Sequence, residues 1–381
     1  MIRITDKSEC TGCTACVTSC PVQCIVMRRD REGFDYPIAN PDICIECGKC
    51  EAVCPIMNPS EAVEPVAVYA AKIPEYVSGS SSGGVFPFLA RNVINEGGVV
   101  FGAAVNADLS VGHMEAERME DVEKMRGSKY VQSDLYSVFE DTKSYLVEGR
   151  KVLFTGTPCQ IAGLNAYLGR RYDNLLTVEV ACHGVPGPGL WERYMEALAV
   201  KYKGRISEIS FRDKSRSWMH YQFSAVTEHG KFSRPYMDEP YMALFVQNLI
   251  LRPSCYSCRF RDGRSGSDIT LADMWTVGSL VKDMDDDRGT SLVVANTGKG
   301  MRATSGLNGR EVLFNAASAG NGGFACHVDI PQRREEFFQG YPFAKDIRSY
   351  MKGFVIRRPV HIRIYRKIRS VLSDIKRKVT G

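Results

Sequence analysis

Eight cysteines fall into two runs of one spacing: Cys10, Cys13, Cys16 and Cys20 before Pro21, then Cys44, Cys47, Cys50 and Cys54 before Pro55. Each run reads C-x2-C-x2-C-x3-C-P, the spacing with which thiolates hold paired 4Fe–4S cubanes. Such clusters accept and donate single electrons, so the remainder of the chain is expected to serve a redox reaction. The fourth cysteine of each run serves the other cluster. One cubane is therefore expected on Cys10, Cys13, Cys16 and Cys54, and the other on Cys44, Cys47, Cys50 and Cys20. A structural zinc site needs four ligands rather than two runs of four, and disulfides need an oxidising compartment. Met1 to Thr5 leads straight into the first run with no signal-peptide pattern, so a reducing cytoplasm is expected. Cys24 reads as a small buried filler.

A second set of cysteines lies further on: Cys159, Cys182, Cys255, Cys258 and Cys326. Thr157 reads as a helix N-cap and Pro158 as the first helical residue, which puts Cys159 in a first turn where the helix dipole favours a thiolate. From the residues alone these cysteines are ligands of a third cluster, unrelated core cysteines, or, for Cys255 and Cys258, a redox-active dithiol.

The elements that must position these residues follow from the hydrophobic pattern. Residues 1–60 form an α+β ferredoxin-like unit, and Asn58 to Glu61 reads as its exit linker. Residues 61–340 alternate short apolar strands with amphipathic helices, the pattern of an α/β core, with a sub-boundary near 150. After Arg205 two strands come without a helix between them, so part of the sheet is expected to be antiparallel. Residues 341–381 form a basic tail. Lys345 to Lys378 holds twelve Lys and Arg against Asp346 and Asp374, a local +10 in a chain of net charge +5. The body is therefore mildly acidic, which argues against general nucleic-acid binding. Apolar residues at helical spacing from Ile364 to Val379 give the tail an amphipathic pattern suited to peripheral contact with an anionic membrane, or to packing on the acidic body. No run of about 18 apolar residues is present to span a bilayer.

Ser78-Gly79-Ser80-Ser81-Ser82-Gly83-Gly84 lies between a strand and a helix. It reads as a linker by composition, and by position as a phosphate cradle at a helix N-terminus, with Ser80, Ser81, Ser82, Gly83 and Gly84 as donors. Lys129 is the candidate catalytic charge beside a flavin ring edge, with Tyr130 or Gln132 lining the ring. A solvated lysine on a loop is the plainer alternative. His183 and His220 could donate protons by type, but a histidine beside a ligand cysteine is more often its hydrogen-bond partner, so neither is counted as catalytic. The absence of G-x-G-x-x-G after a strand weakens a nicotinamide site.

Thr155-Gly156-Thr157-Pro158-Cys159-Gln160-Ile161-Ala162-Gly163-Leu164 resembles the signature of the beta subunits of coenzyme F-420 (deazaflavin) hydrogenases and dehydrogenases. Ser80 to Phe86, Lys129 to Ser133, Cys182 to Pro186, the Cys255/Cys258 pair and Ile269 to Trp275 extend the likeness over roughly residues 65–330. The resemblance implies FAD beside one further 4Fe–4S cluster. It assigns Cys159, Cys182, Cys255 and Cys258 as ligands with Cys326 in reserve, and Thr155, Gly156, Thr157 and Asp273 as cofactor contacts. Ala272-Asp273-Met274-Trp275-Thr276 departs from the family's usual Gly-Asp and Trp-Gly pairs. Three functions follow as expectations: an iron–sulfur flavoprotein oxidoreductase passing electrons to an organic acceptor, an electron-transfer subunit serving a partner protein, or a redox sensor.

Overall fold

The computed structural model describes residues 1–356. The ferredoxin-type unit is built on one hairpin, β1 (Ile25–Arg29) against β2 (Asp35–Ala39), with the two cysteine runs on the loops before and after it. Three residues place this unit inside the body of the protein. Phe34 and Tyr36 pack in one core cluster with Leu190, Trp191 and Tyr194, and Ala15 is buried with Phe101, Phe154, Ile161 and Leu164. Burial of these side chains makes the ferredoxin an integral layer rather than a tethered bead.

The core is an eight-stranded sheet. In chain order it uses β3 (Ala67–Ala71), β4 (Val99–Val105), β5 (Val111–Ala116), β6 (Val152–Gly156) and β7 (Leu175–Val180). A separate antiparallel sheet follows, made of β8 (Ile206–Asp213), β9 (Gln222–Thr227) and β10 (Gly230–Pro235). The chain then returns to the large sheet with β11 (Ile269–Asp273), β12 (Ser291–Ala295) and β13 (Arg310–Glu311). The spatial order is β13-β3-β12-β11-β7-β6-β4-β5. Pairings are parallel for β11 with β7, β7 with β6 and β6 with β4, and antiparallel elsewhere, so β3, β11, β7, β6 and β4 all run one way. Their near-continuous apolar sequences fit strands covered on both faces. One face packs on the helix Val85–Asn95 and the other on the helices Val138–Val147 and Pro158–Leu168.

Two expected boundaries differ from the structure. The sub-boundary near residue 150 is absent, because β4 and β6 pair across it through Val99↔Val152 and Phe101↔Phe154. Hydrogen bonds of one sheet cannot be divided between two units. The boundary at 340/341 also moves. Tyr341, Ile347, Met351 and Phe354 are buried in the core, and Arg348 makes an ion pair with the fully buried Glu239. The basic stretch from Ile364 to Val379 lies outside the described residues. Among the described residues no helix is long and apolar enough to cross a membrane.

Candidate redox site

The five codirectional strands deliver the chemistry-bearing residues to one edge. The Ser/Gly loop leaves the carboxyl end of β3, Thr157 to Cys159 that of β6, Cys182 that of β7, and Asp273 ends β11. Crevices outside the carboxyl ends of such strands are where open α/β sheets hold ligands.

The ferredoxin cysteines divide as their spacing predicts. Cys10, Cys13, Cys16 and Cys54 line one cavity. Cys20, Cys44, Cys47 and Cys50 line another, together with Cys24. Cys24 is more than distant filler: its Sγ lies 3.5 Å from that of Cys20, and its N–H donates to the same sulfur. Backbone N–H groups of Ile2 and Glu46 donate to Cys50 and Cys44. Such N–H···S bonds tune cluster potentials. Among the described residues no three His, Cys, Asp or Glu side chains converge on the position of a single ion. Sulfurs spread around a cavity suit a cubane instead.

Cys159, Cys182, Cys255 and Cys258 come together in the core from separate stretches of chain. Burial, followed by the nearby sulfurs of Cys258, Cys182 and Cys255, pushes the Cys159 thiol well above its ordinary range. Burial likewise takes Cys182 up to about 12, with Cys255 and Cys258 adding to it. Four crowded, buried thiols ionise only beside a compensating cation, which is what iron supplies. The Thr157 N-cap forms as expected: its N–H donates to Gln160 Oε1 at 2.9 Å, and Gln160 Nε2 reaches Ser133. Thr157 Oγ1 lies 3.3 Å from Cys159 Sγ. Cys326 stands outside the group, with its Sγ taking a hydrogen bond from Arg264.

The two cysteine systems meet. Cys54, Cys159 and Cys258 all pack against one apolar cluster of Ile56, Ala162 and Phe260. Gly163 makes the approach possible, since a Cβ there would stand 2.9 Å from Cys13 Cβ and 3.1 Å from its Sγ.

The Ser/Gly loop is more committed than its sequence suggests. Gly83 N–H donates to Ser291 Oγ, and a Cβ on Gly83 would collide with Ala71 O. Gly84 has φ +85, and a Cβ there would meet Tyr76 at 2.8 Å. Close chain packing, rather than an open anion cradle, requires these glycines. The three serines are tied to neighbours: Ser80 to Arg126, Ser81 to Ser128 and Ser82 to Thr290 O. Lys129 Nζ donates to Met125 O and Arg126 O, leaving one of its three N–H groups. Desolvation brings its pKa down to about 7. Thr155 Oγ1 is spent on Phe101 O. Gln132 lies elsewhere than the expected flavin ring. Its amide donates to Thr11 O in the ferredoxin loop and accepts from Arg252.

Two cations at this edge carry no sequence signal, because they sit on β8 and just after it, far from any motif. Arg212 is buried and pairs with Asp273, whose other oxygen accepts from Trp218 Nε1. Arg212 Nε and Nη2 are buried without a hydrogen-bond partner. Lys214 donates to Ser82 O and Arg288 O, and burial beside Arg212 lowers its pKa to about 8. Tyr130 joins this edge to the cysteines: its ring stacks on Phe245 at 4.4 Å, and Phe245 meets His183, next to Cys182, at 5.1 Å.

Residues 149–315 match the family model for the C-terminal region of the coenzyme F420 hydrogenase/dehydrogenase beta subunit, and residues 9–57 match the 4Fe-4S dicluster domain. The chain belongs to the family of coenzyme F420 hydrogenase/dehydrogenase beta subunits, with a dicluster ferredoxin unit. Its first 60 residues thus carry the 4Fe–4S clusters expected from their cysteines. Relatives include a 7Fe ferredoxin of Hydrogenibacillus schlegelii, 47% identical over 14% of this chain and 62% of that protein. An uncharacterized protein of Methanocaldococcus jannaschii is 27% identical over 45% of this chain and 56% of its own length. One of the subunits of the F(420)H(2) dehydrogenase of Methanosarcina mazei is 23% identical over 42% and 48%. The matches therefore span about half to three fifths of these relatives. A chain of the F420-reducing [NiFe] hydrogenase complex from Methanosarcina barkeri superposes with TM-score 0.46 and 18% identity, covering 75% of this chain and 95% of that one.

One buried carboxyl gives a pH prediction. Glu179 on β7 is 2% exposed, accepts from Thr270 Oγ1 and leaves Oε2 without a partner; burial raises its pKa to about 7. The folded state then holds this proton more tightly than the unfolded chain does. Its stabilising contribution is full below about 4.5, the ordinary value, and is lost as pH rises through about 7. Glu179→Gln should flatten that decline and stabilise the protein above pH 7 by ~3 kcal/mol. Denaturant melts of both forms across this range measure it, and parallel pH profiles would refute the assignment.

Proposed function

We propose that this chain is an iron–sulfur flavoprotein oxidoreductase that passes electrons between its ferredoxin-type clusters and an organic acceptor, deazaflavin-like or another small molecule. The carrying observation is the shared apolar packing of Cys54 with Cys159 and Cys258, which sets the ferredoxin cysteines and the core cysteines in series. When bound, 4Fe–4S clusters supply one-electron transfer, and FAD joins it to two-electron chemistry. Cys159, Cys182, Cys255 and Cys258 would hold the third cluster. Arg212, Lys214, Lys129 and Tyr130 would surround the flavin, and the unpartnered N–H groups of Arg212 fit an anionic phosphate or a ring carbonyl. The Tyr130–Phe245–His183 ring series keeps that site near Cys182 and excludes water between them.

The test is FAD binding by anaerobically purified protein. Wild type should retain FAD and Arg212→Met should lose it with iron content unchanged. Affinity should fall as pH rises through about 8, because Lys214 sheds its proton there and no longer attracts the pyrophosphate. FAD retained at full occupancy in Arg212→Met would place the flavin elsewhere. A second reading, an electron-transfer subunit without its own substrate, draws on the Methanosarcina mazei relative, which is named as one subunit of a dehydrogenase. Acceptor-dependent turnover by the isolated chain separates the two.

A further inference from the structure

Arg252 is fully buried, three residues before the proposed ligand Cys255, yet its guanidinium points into the ferredoxin unit. Nε donates to Cys10 O at 2.7 Å, Nη1 to Gln132 Oε1 at 3.0 Å and Nη2 to Asp35 O at 3.0 Å. Nη2 also lies 3.7 Å from Cys10 Sγ, and the group sits 4.2 Å over the Tyr36 ring. Every oxygen it meets is neutral. Among the described residues Arg252 has no carboxylate within ion-pair distance, although buried charges are ordinarily paired. The anion left to balance it is the cluster on Cys10, Cys13, Cys16 and Cys54, whose thiolate-rich shell is net negative and gains charge on reduction.

The outer set differs. Cys20, Cys44 and Cys50 receive backbone N–H groups from Cys24, Glu46 and Ile2, and Cys47 is exposed. Among the described residues no other guanidinium or ammonium hydrogen-bonds to a ferredoxin cysteine. We propose that Arg252 sets the reduction potential of the inner ferredoxin cluster as its buried counter-cation, making that cluster the better electron acceptor of the two. The inference rests on the dicluster unit and does not need the third cluster or FAD. One electron moves and no bond or proton changes hands. The guanidinium stays charged throughout the accessible pH range, so the difference between the two clusters is independent of pH near neutrality.

The full chain, purified anaerobically, is titrated with dithionite and mediators while EPR follows each cluster. In Arg252→Met one ferredoxin signal should become at least about tenfold harder to reduce, about 59 mV for one electron, with the other unmoved. Arg252→Lys should recover most of that shift. Gln132→Glu sets a carboxylate against Nη1 and neutralises the cation without removing it, so it should lower the same signal. Unmoved potentials in Arg252→Met at full iron content would overturn the proposal and leave Arg252 a structural tie. If Arg252→Met loses iron, Gln132→Glu decides: a lowered inner potential supports the proposal, and an unchanged one at full iron refutes it. Wild-type protein without about eight ferredoxin irons would instead sink the dicluster reading.

Discussion

Cys255→Ser protein, purified anaerobically, will hold about eight irons where wild type holds about twelve, four per cubane. The reason is separation of ligand sets. Cys255 belongs with Cys159, Cys182 and Cys258, and burial and the Cys258 sulfur raise its thiol as they do its neighbours'. A serine hydroxyl there is a far poorer ligand than a thiolate, and three remaining thiols in a buried site cannot hold a cubane as four do. The two ferredoxin signals in EPR should persist, since neither cavity contains Cys255. About eight irons in the wild type would remove the core cluster. About twelve in the variant would show another donor taking the place of Cys255; Cys326 is close enough to hold Cys258 N–H on its carbonyl.

Gly163→Leu should uncouple the ferredoxin layer from the core. Gly163 lies buried within the helix Pro158–Leu168, where glycine ordinarily costs about 1 kcal/mol against alanine. Its retention there is explained by Cys13, whose Cβ and Sγ occupy the space a side chain would need. Cys13 is fixed as a cluster ligand and cannot rotate away, so the helix or the loop must move. Overpacking of this kind costs about 1–3 kcal/mol. It falls on the same helix that carries Ala162 and Cys159, which face Ile56 and Phe260. The expected result is a lower melting temperature, early proteolytic release of residues 1–60, and loss of the iron held by Cys10, Cys13, Cys16 and Cys54. Wild-type melting and proteolysis in Gly163→Leu would mean that the docking is looser than the packing indicates.

Burial separates the two pH-dependent expectations by sign. Glu179 is neutral when buried and destabilises as it ionises above about 7, whereas Lys214 is needed charged and fails its ligand as it neutralises above about 8. Both follow from the same desolvation, acting on groups of opposite charge.

Spacing alone determined the ferredoxin cysteines, their crossed division into two sets, and the Thr157–Pro158 start of the helix carrying Cys159. In each case the interacting residues are near in sequence, or repeat a rule that local geometry enforces. Alternation of apolar runs likewise placed β3, β4, β6 and β7 and the helix Val85–Asn95, because period and punctuation are local signals. The tertiary structure decided the rest. Gln132 reads like a ring-lining amide beside Lys129, but the chain turns it into the Cys10 loop. Gly83 and Gly84 look like an anion cradle until Ala71, Ser291 and Tyr76 are seen against them. Arg212, Lys214 and Arg252 carry no motif, since a buried cation is defined by what surrounds it and those neighbours lie about 60 to 240 residues away. The sequence determines which residues can bind iron; only the packing of Arg252, Gly163 and Phe260 between two layers decides which clusters stand next to each other and at what charge.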